Sequence, residues 1–112
     1  MTNEALSQEI TQLHADICSA LADPSRILIL YALNEHRLNV GDLATEVGLS
    51  QPAASRHLKI LRDRGLVRPE RQGPNVEYRL TDTRLIEALD TLRAVLRDRL
   101  HYRASLISLE EE

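Results

Sequence analysis

The sequence predicts a mainly α chain with a small β-hairpin, an α+β winged helix-turn-helix of about five helices that is dimeric. Three observations predict it. Residues 49–78, LSQPAASRHLKILRDRGLVRPERQGPNVEY, have the pattern of a helix bearing basic and hydrogen-bonding side chains, followed directly by a glycine-punctuated hairpin that is also basic. Elsewhere apolar residues recur three and four apart, the period of an amphipathic helix. The last helical stretch is apolar on more than one side, more than a small monomer hides.

The elements follow in order. Leu6, Ile10, Leu13, Ile17 and Ala20 make one apolar stripe, which predicts a first helix over about residues 3–21. Asp23 can cap a second helix, with Pro24 in its first turn where the missing N–H costs nothing. That helix carries Ile27, Leu28, Leu30, Tyr31 and Leu33 and ends near His36. A short third helix starts at Asn39-Val40-Gly41-Asp42, buries Leu43, Ala44 and Val47, and stops at Gly48. Ser50 caps a fourth helix that turns Ala54, Leu58 and Leu61 inward and ends at Gly65. Residues 66–71 and 76–80 are strand-like around a turn at residues 72–75. Thr81 or Asp82 is expected to cap a long last helix, where Leu85, Leu89, Leu92, Leu96 and Leu100 form a stripe.

A chain of 112 residues fits one domain, residues 1–112, on the prior of ~100–200 residues per domain. Within it, about residues 40–80 form the helix-turn-helix and wing. About residues 1–21 and 82–108 are the candidate dimerisation helices. Phe and Trp are absent, so Leu, Ile, Val and Ala must build the core. No run approaches the roughly 18 apolar residues of a membrane span, so no membrane partner is expected. The first residues, MTNEALSQEI, lack the pattern of a secretory signal. The single cysteine, Cys18, excludes an intrachain disulfide framework and suits a reducing cytoplasm.

The net charge of −3 is unevenly divided. Residues 1–49 carry two Arg against seven acids, a net −5; residues 50–79 carry seven basic residues against three acids, a net +4; residues 80–112 carry five Arg against seven acids, a net −2. Positive charge therefore coincides with the fourth helix and the hairpin, and the local field governs attraction to phosphate. No nucleophile motif, glycine-rich phosphate loop or paired-acid cleft stands out, so an enzyme is not expected. Ser50 and His57 lie seven apart with nothing to complete a triad.

Specific wording now adds to the pattern. Ala20-Leu-Ala-Asp-Pro-Ser-Arg26, Ser50-Gln-Pro-Ala-Ala-Ser-Arg-His-Leu-Lys-Ile-Leu61, Gly65-Leu-Val67, Arg71-Gln-Gly73 and Tyr78-Arg-Leu80 together resemble the ArsR/SmtB family over roughly residues 13–100. The resemblance implies a small homodimeric bacterial repressor that binds an inverted repeat of double-stranded DNA and releases it on sensing a metal or a thiol-reactive species. Each fourth helix would then enter a major groove, with half-sites about one helical turn apart. Gln51, Ser55, Arg56 and His57 are the candidates for bases or nearby phosphates, since Arg suits guanine and Gln adenine. Ser50 belongs to the same set through its position at the helix start. Lys59 and Arg62 suit phosphates or solvent, and Arg71, Gln72 and Asn75 on the wing suit backbone or minor groove. Tyr78 fits the wing core.

The departures bear on the effector. Many metal-sensing relatives have Cys-Val-Cys-Asp at the third helix, where this chain has Asn39-Val40-Gly41-Asp42, leaving no thiolate for a soft ion. The family's second metal site falls on Asp82, Arg84, Val95 and Asp98, of which Arg84 and Val95 cannot ligate zinc. No metal and no cofactor is expected. Cys18 stands four residues after His14, on one face of an α-helix, which suggests a thiol-reactive effector site; a small side chain packed beside the apolar stripe is the commoner role. His36, His101 and Tyr102 could contribute only to a non-standard metal site. The competing readings are a winged-helix module that acts on protein partners, and a metal-responsive repressor with such a non-standard site.

Overall fold

Local chemistry sets most of the element boundaries. The computed structural model of the protein describes residues 3–111, with the side chains of residues 3–108. The described residues form two units that divide between Asp82 and Thr83. In order, the elements are α1 (Asn3–Leu13), α2 (Pro24–Glu35), α3 (Val40–Val47), α4 (Gln51–Asp63), β1 (Val67–Gln72), β2 (Asn75–Leu80) and α5 (Arg84–Glu111). Asp23 caps α2, its Oδ1 accepting from the Ser25 N–H at 2.8 Å, and Pro24 occupies the first turn. Asn39 caps α3 through the Asp42 N–H at 2.8 Å, and Ser50 caps α4 through the Ala53 N–H at 3.2 Å. Gly48 ends α3 with φ +74°, a conformation that strains any residue with a Cβ. Gly48, Leu49 and Ser50 thus form the turn of a helix-turn-helix.

One expectation needs correction, and another, the cap at Thr81 or Asp82, loses one of its two candidates. The first helix does not run through residue 21. It ends at Leu13 and is followed by a π-helical turn, His14–Cys18, and a 3₁₀ turn, Ala20–Ala22. The Ser19 N–H reaches back five residues to the His14 carbonyl at 3.0 Å, and the Ser19 hydroxyl donates to the Ala15 carbonyl at 2.6 Å. Thr81 is not the cap of the last helix. Its hydroxyl donates to the Gly65 carbonyl at 2.7 Å, and the helical ladder begins instead at the Thr83 carbonyl, which accepts from the Ile86 N–H at 3.0 Å.

The core of the first unit is aliphatic, as a chain without Phe or Trp requires. Ile29 and Leu30 of α2, Leu43 of α3, Leu58 and Leu61 of α4 and Val67 of β1 are fully buried. Each large side chain hidden in this way contributes roughly 1.5–3 kcal/mol of transfer free energy. Among the described residues no polar or charged side chain is buried. The hairpin pairs β1 and β2 in antiparallel register, with Val67 opposite Leu80 and Pro69 opposite Tyr78. Gly73, at φ +63°, opens its two-residue turn, and Pro74 follows without a positive φ, as in a type II′ turn. Leu38 adds a one-residue bridge to β2, exchanging both backbone hydrogen bonds with Tyr78.

In the second unit Ile86 and Leu89 are buried, whereas Leu92, Val95, Leu96 and Leu100 are 51–62% exposed. In the first unit the α1 stripe of Leu6, Ile10 and Leu13 is likewise exposed. Among the described residues, no helix is long and apolar enough to cross a membrane.

Candidate nucleic-acid interface

Because α4 turns once every 3.6 residues, its buried stripe dictates what faces outward. Arg56 lies two residues from both Ala54 and Leu58, so it projects away from the core and is exposed. Gln51, Ser55 and Lys59 are also exposed. Gln51 leans toward the start of α3: a Cβ built on Gly41 would stand 3.7 Å from its Oε1. Ser50 is exposed but committed as the cap. Lys59 is committed too, its Nζ standing 3.0 Å from Asp63 Oδ2. That hydrogen bond holds the Asp63 carboxyl below the usual carboxylate range.

His57 occupies a different flank of α4. It is half-buried, and its Nδ1 lies 3.4 Å from Arg26 Nη1. An Arg guanidinium has no acceptor, so Nδ1 must be the acceptor and the ring proton belongs on Nε2. The structure thus sets His57 apart from Gln51, Ser55 and Arg56, with which the sequence groups it. Arg26 also donates through Nε to the Ala20 carbonyl at 2.7 Å and through Nη2 to the Ser19 carbonyl at 3.5 Å. Arg64 donates to the Ala15 carbonyl and lies 3.8 Å from Asp16. Both arginines therefore tie the irregular segment 14–22, Arg26 from α2 and Arg64 from the C-cap of α4.

The hairpin divides its charge between two faces. Strand alternation puts Arg68, Glu70, Glu77 and Arg79 on one face, with Gln72 and Asn75 near the tip; Pro69, Arg71, Val76 and Tyr78 share the other face with buried Val67 and Leu80. Arg68 and Arg79 stand directly opposite each other, a repulsive pair in isolation. Glu70 resolves it, lying 3.5 Å from Arg68, 3.2 Å from Arg79 and 2.9 Å from Arg37. The predicted wing residues Arg71, Gln72 and Asn75 are all exposed near the turn, but Arg71 lies on the Tyr78 face and the other two on the opposite one. Among the described residues, the side chains of Arg56, Arg62 and Arg71 make no hydrogen bond or ion pair, so their guanidinium groups are available to a partner.

On sequence, Arg62 suits phosphates or solvent and Tyr78 the wing core. Both line a cavity of about 220 Å³ together with Ser55, Arg56 and Lys59. The signal for Arg62 was its spacing: Ser55, Lys59 and Arg62 stand at i, i+4 and i+7, one stripe of the helix.

A family model described as "Bacterial regulatory protein, arsR family" matches residues 23–68. The chain is 43% identical over 76 residues to the HTH-type transcriptional regulator NmtR of Mycobacterium tuberculosis, covering 68% of this chain and 63% of that protein. The crystal structure of the transcriptional repressor BigR from Xylella fastidiosa matches with a TM-score of 0.73 at 30% identity, over 85% of this chain and 96% of that one. The chain belongs to the arsR family.

A second structure, the homodimeric winged helix-turn-helix DNA-binding domain of Mb0332 from Mycobacterium bovis, matches with a TM-score of 0.75 at 25% identity, over 91% of this chain and 93% of that one. The chain spans less than two thirds, 63%, of the length of the first curated relatives it matches. In this arsR-family chain, Cys18 is a free, exposed cysteine. The π turn also changes its relation to His14. The residue one turn from His14 is Ser19, and His14 and Cys18, both exposed, make no hydrogen bond to each other. Among the described residues, no group of three or more His, Cys, Asp or Glu side chains is placed to hold a metal ion.

Proposed function

We propose that the protein is a cytoplasmic DNA-binding transcriptional repressor that acts as a homodimer on an inverted-repeat operator. The observation that carries this reading is the pair of unpartnered guanidinium groups, Arg56 on the outward face of α4 and Arg71 on the wing, in the stretch of the sequence with a net positive charge. Gln51, Ser55 and Arg56 read bases in the major groove, Lys59 and Arg71 meet phosphates, and Gln72 and Asn75 border the wing contact. Ser50 and His57 position α4, one as its cap and the other through Arg26. The likeness to BigR, a transcriptional repressor, and to the Mb0332 domain, a homodimer, supports the same reading. The exposed apolar stripes of α1 and α5 supply surface for a second copy.

Release by an effector belongs to this reading. Cys18 is an exposed thiol on the segment tied by Arg26 and Arg64, so a thiol-reactive species there would act on backbone fastened to α4. Footprinting of the purified protein on the DNA upstream of its own gene tests the reading. Protection of two half-sites about one helical turn apart is expected. No protected site at low salt would sink it.

A further inference from the structure

We propose that the cavity between α4 and β2 is a phosphate-binding site, where Arg62 and Tyr78 hold a phosphate group supplied by the DNA backbone or by a free phosphate ion. The inference rests on the DNA-binding reading for the first source only.

The cavity measures about 220 Å³ and is lined by Ser55, Arg56, Lys59, Arg62 and Tyr78. Three of these five carry a positive charge, the other two carry hydroxyl groups, and no acid lines the cavity. Lys59 already bonds Asp63. The other four side chains have no hydrogen-bond partner among the described residues. Arg62 and Tyr78, which the base-reading set does not use, therefore bring a guanidinium fork and a hydroxyl to one place beside Ser55 and Arg56. Exposed donors are satisfied by water, but a concave set of unpaired donors with a net positive charge matches a tetrahedral oxyanion. The planar guanidinium fork pairs two N–H groups with two phosphate oxygens.

The two walls have different origins. Ser55, Lys59 and Arg62 come from one stripe of α4. Tyr78 comes from β2, where Leu38 fixes its backbone by hydrogen bonds of 2.8 and 3.3 Å. Arg71 extends the positive surface along the same face of the hairpin. A phosphate held here touches helix and wing at once. It would set the depth and register of α4 in the groove without reading sequence, which is the usual role of backbone contacts.

The test uses the full-length protein, Arg62→Gln and Tyr78→Phe, with unchanged melting temperatures as the check on folding. Affinity for the upstream DNA and for a scrambled duplex is measured against salt. In parallel, inorganic pyrophosphate is titrated into the free protein with amide NMR shifts as the readout. Arg62→Gln should lower the slope of log affinity against log salt by about one on both duplexes. Tyr78→Phe should weaken both about threefold to tenfold, leaving the ratio between them unchanged. Pyrophosphate shifts at Ser55, Arg62 and Tyr78 that vanish in Arg62→Gln would assign the site to free phosphate even if no duplex binds. Those shifts together with no binding to either duplex would end the DNA reading and keep the phosphate site. Wild-type binding to DNA with unchanged slopes and affinities in both variants, and no pyrophosphate shifts, would overturn the site and leave the DNA reading standing.

Discussion

Arg26 Nη1 lies 3.4 Å from His57 Nδ1, joining the first turn of α2 to the middle of α4 across 31 residues of sequence. The same guanidinium collects the carbonyls of Ser19 and Ala20, so one side chain ties three segments together. Its side chain is only 13% exposed, so water cannot easily replace it. Arg26→Met should leave the Ala20 carbonyl short of a donor and cost about 1–3 kcal/mol. Urea unfolding checks this, and an unchanged midpoint and slope would remove Arg26 from the framework.

Asp23 begins α2, and its carboxyl is held below the usual carboxylate range, first by the hydrogen bond from the Ser25 N–H and then by the nearby Arg26 guanidinium. A carboxylate with a lowered folded-state pKa stabilises the fold fully above the ordinary carboxylate pKa. That contribution disappears as pH falls through the lowered value. Asp23→Asn should therefore retain capping but flatten part of the acid limb of stability against pH. Asp23→Ala should lower the melting temperature at neutral pH, because α2 loses its cap. Thermal melts from neutral to strongly acidic pH measure both, and an acid limb in Asp23→Asn as steep as in the wild type would contradict the assignment.

Leu61 is fully buried at the α4 end of the core. Leu61→Ala should destabilise the first unit by about 2–5 kcal/mol, because deleting a fully buried side chain loses its transfer free energy and leaves a cavity. A loss below about 1 kcal/mol would mean that the core is looser than its packing implies.

Leu96 is 54% exposed on the apolar stripe of α5. If that stripe joins two copies, Leu96→Glu places an unpaired charge in the interface and shifts the protein toward monomer in sedimentation equilibrium. Operator affinity should fall with it, since each monomer then binds one half-site alone. A Leu96→Glu protein that stays as dimeric as the wild type would place the interface elsewhere.

The elements governed by near neighbours were legible in the sequence, and those governed by distant ones were not. Asp23, Asn39 and Ser50 cap helices with N–H groups two or three residues away, and Gly48 ends α3 by its own backbone conformation. Their chemistry is contained in a few consecutive letters. The stretch His14–Cys18 has neither Pro nor Gly, so a break in the helix had no local mark. It depends on Ser19 bonding backward and on Arg64 arriving from 49 residues along the chain. Thr81 had the composition of a cap, but the Gly65 carbonyl engages its hydroxyl. For the candidate interface, outward Arg56 followed from periodicity alone. The turning of His57 toward Arg26 and the meeting of Arg62 with Tyr78 needed the fold.

DNA reading by α4 stands or falls with Arg56. Fluorescence anisotropy of the wild type and Arg56→Ala on the upstream DNA, at one fixed salt concentration, measures its part in isolation. A loss of about 1–3 kcal/mol in operator affinity is expected, with reduced preference over a scrambled duplex. Equal affinity and equal preference in the two proteins would mean that the outward face of α4 does not read the operator through this side chain.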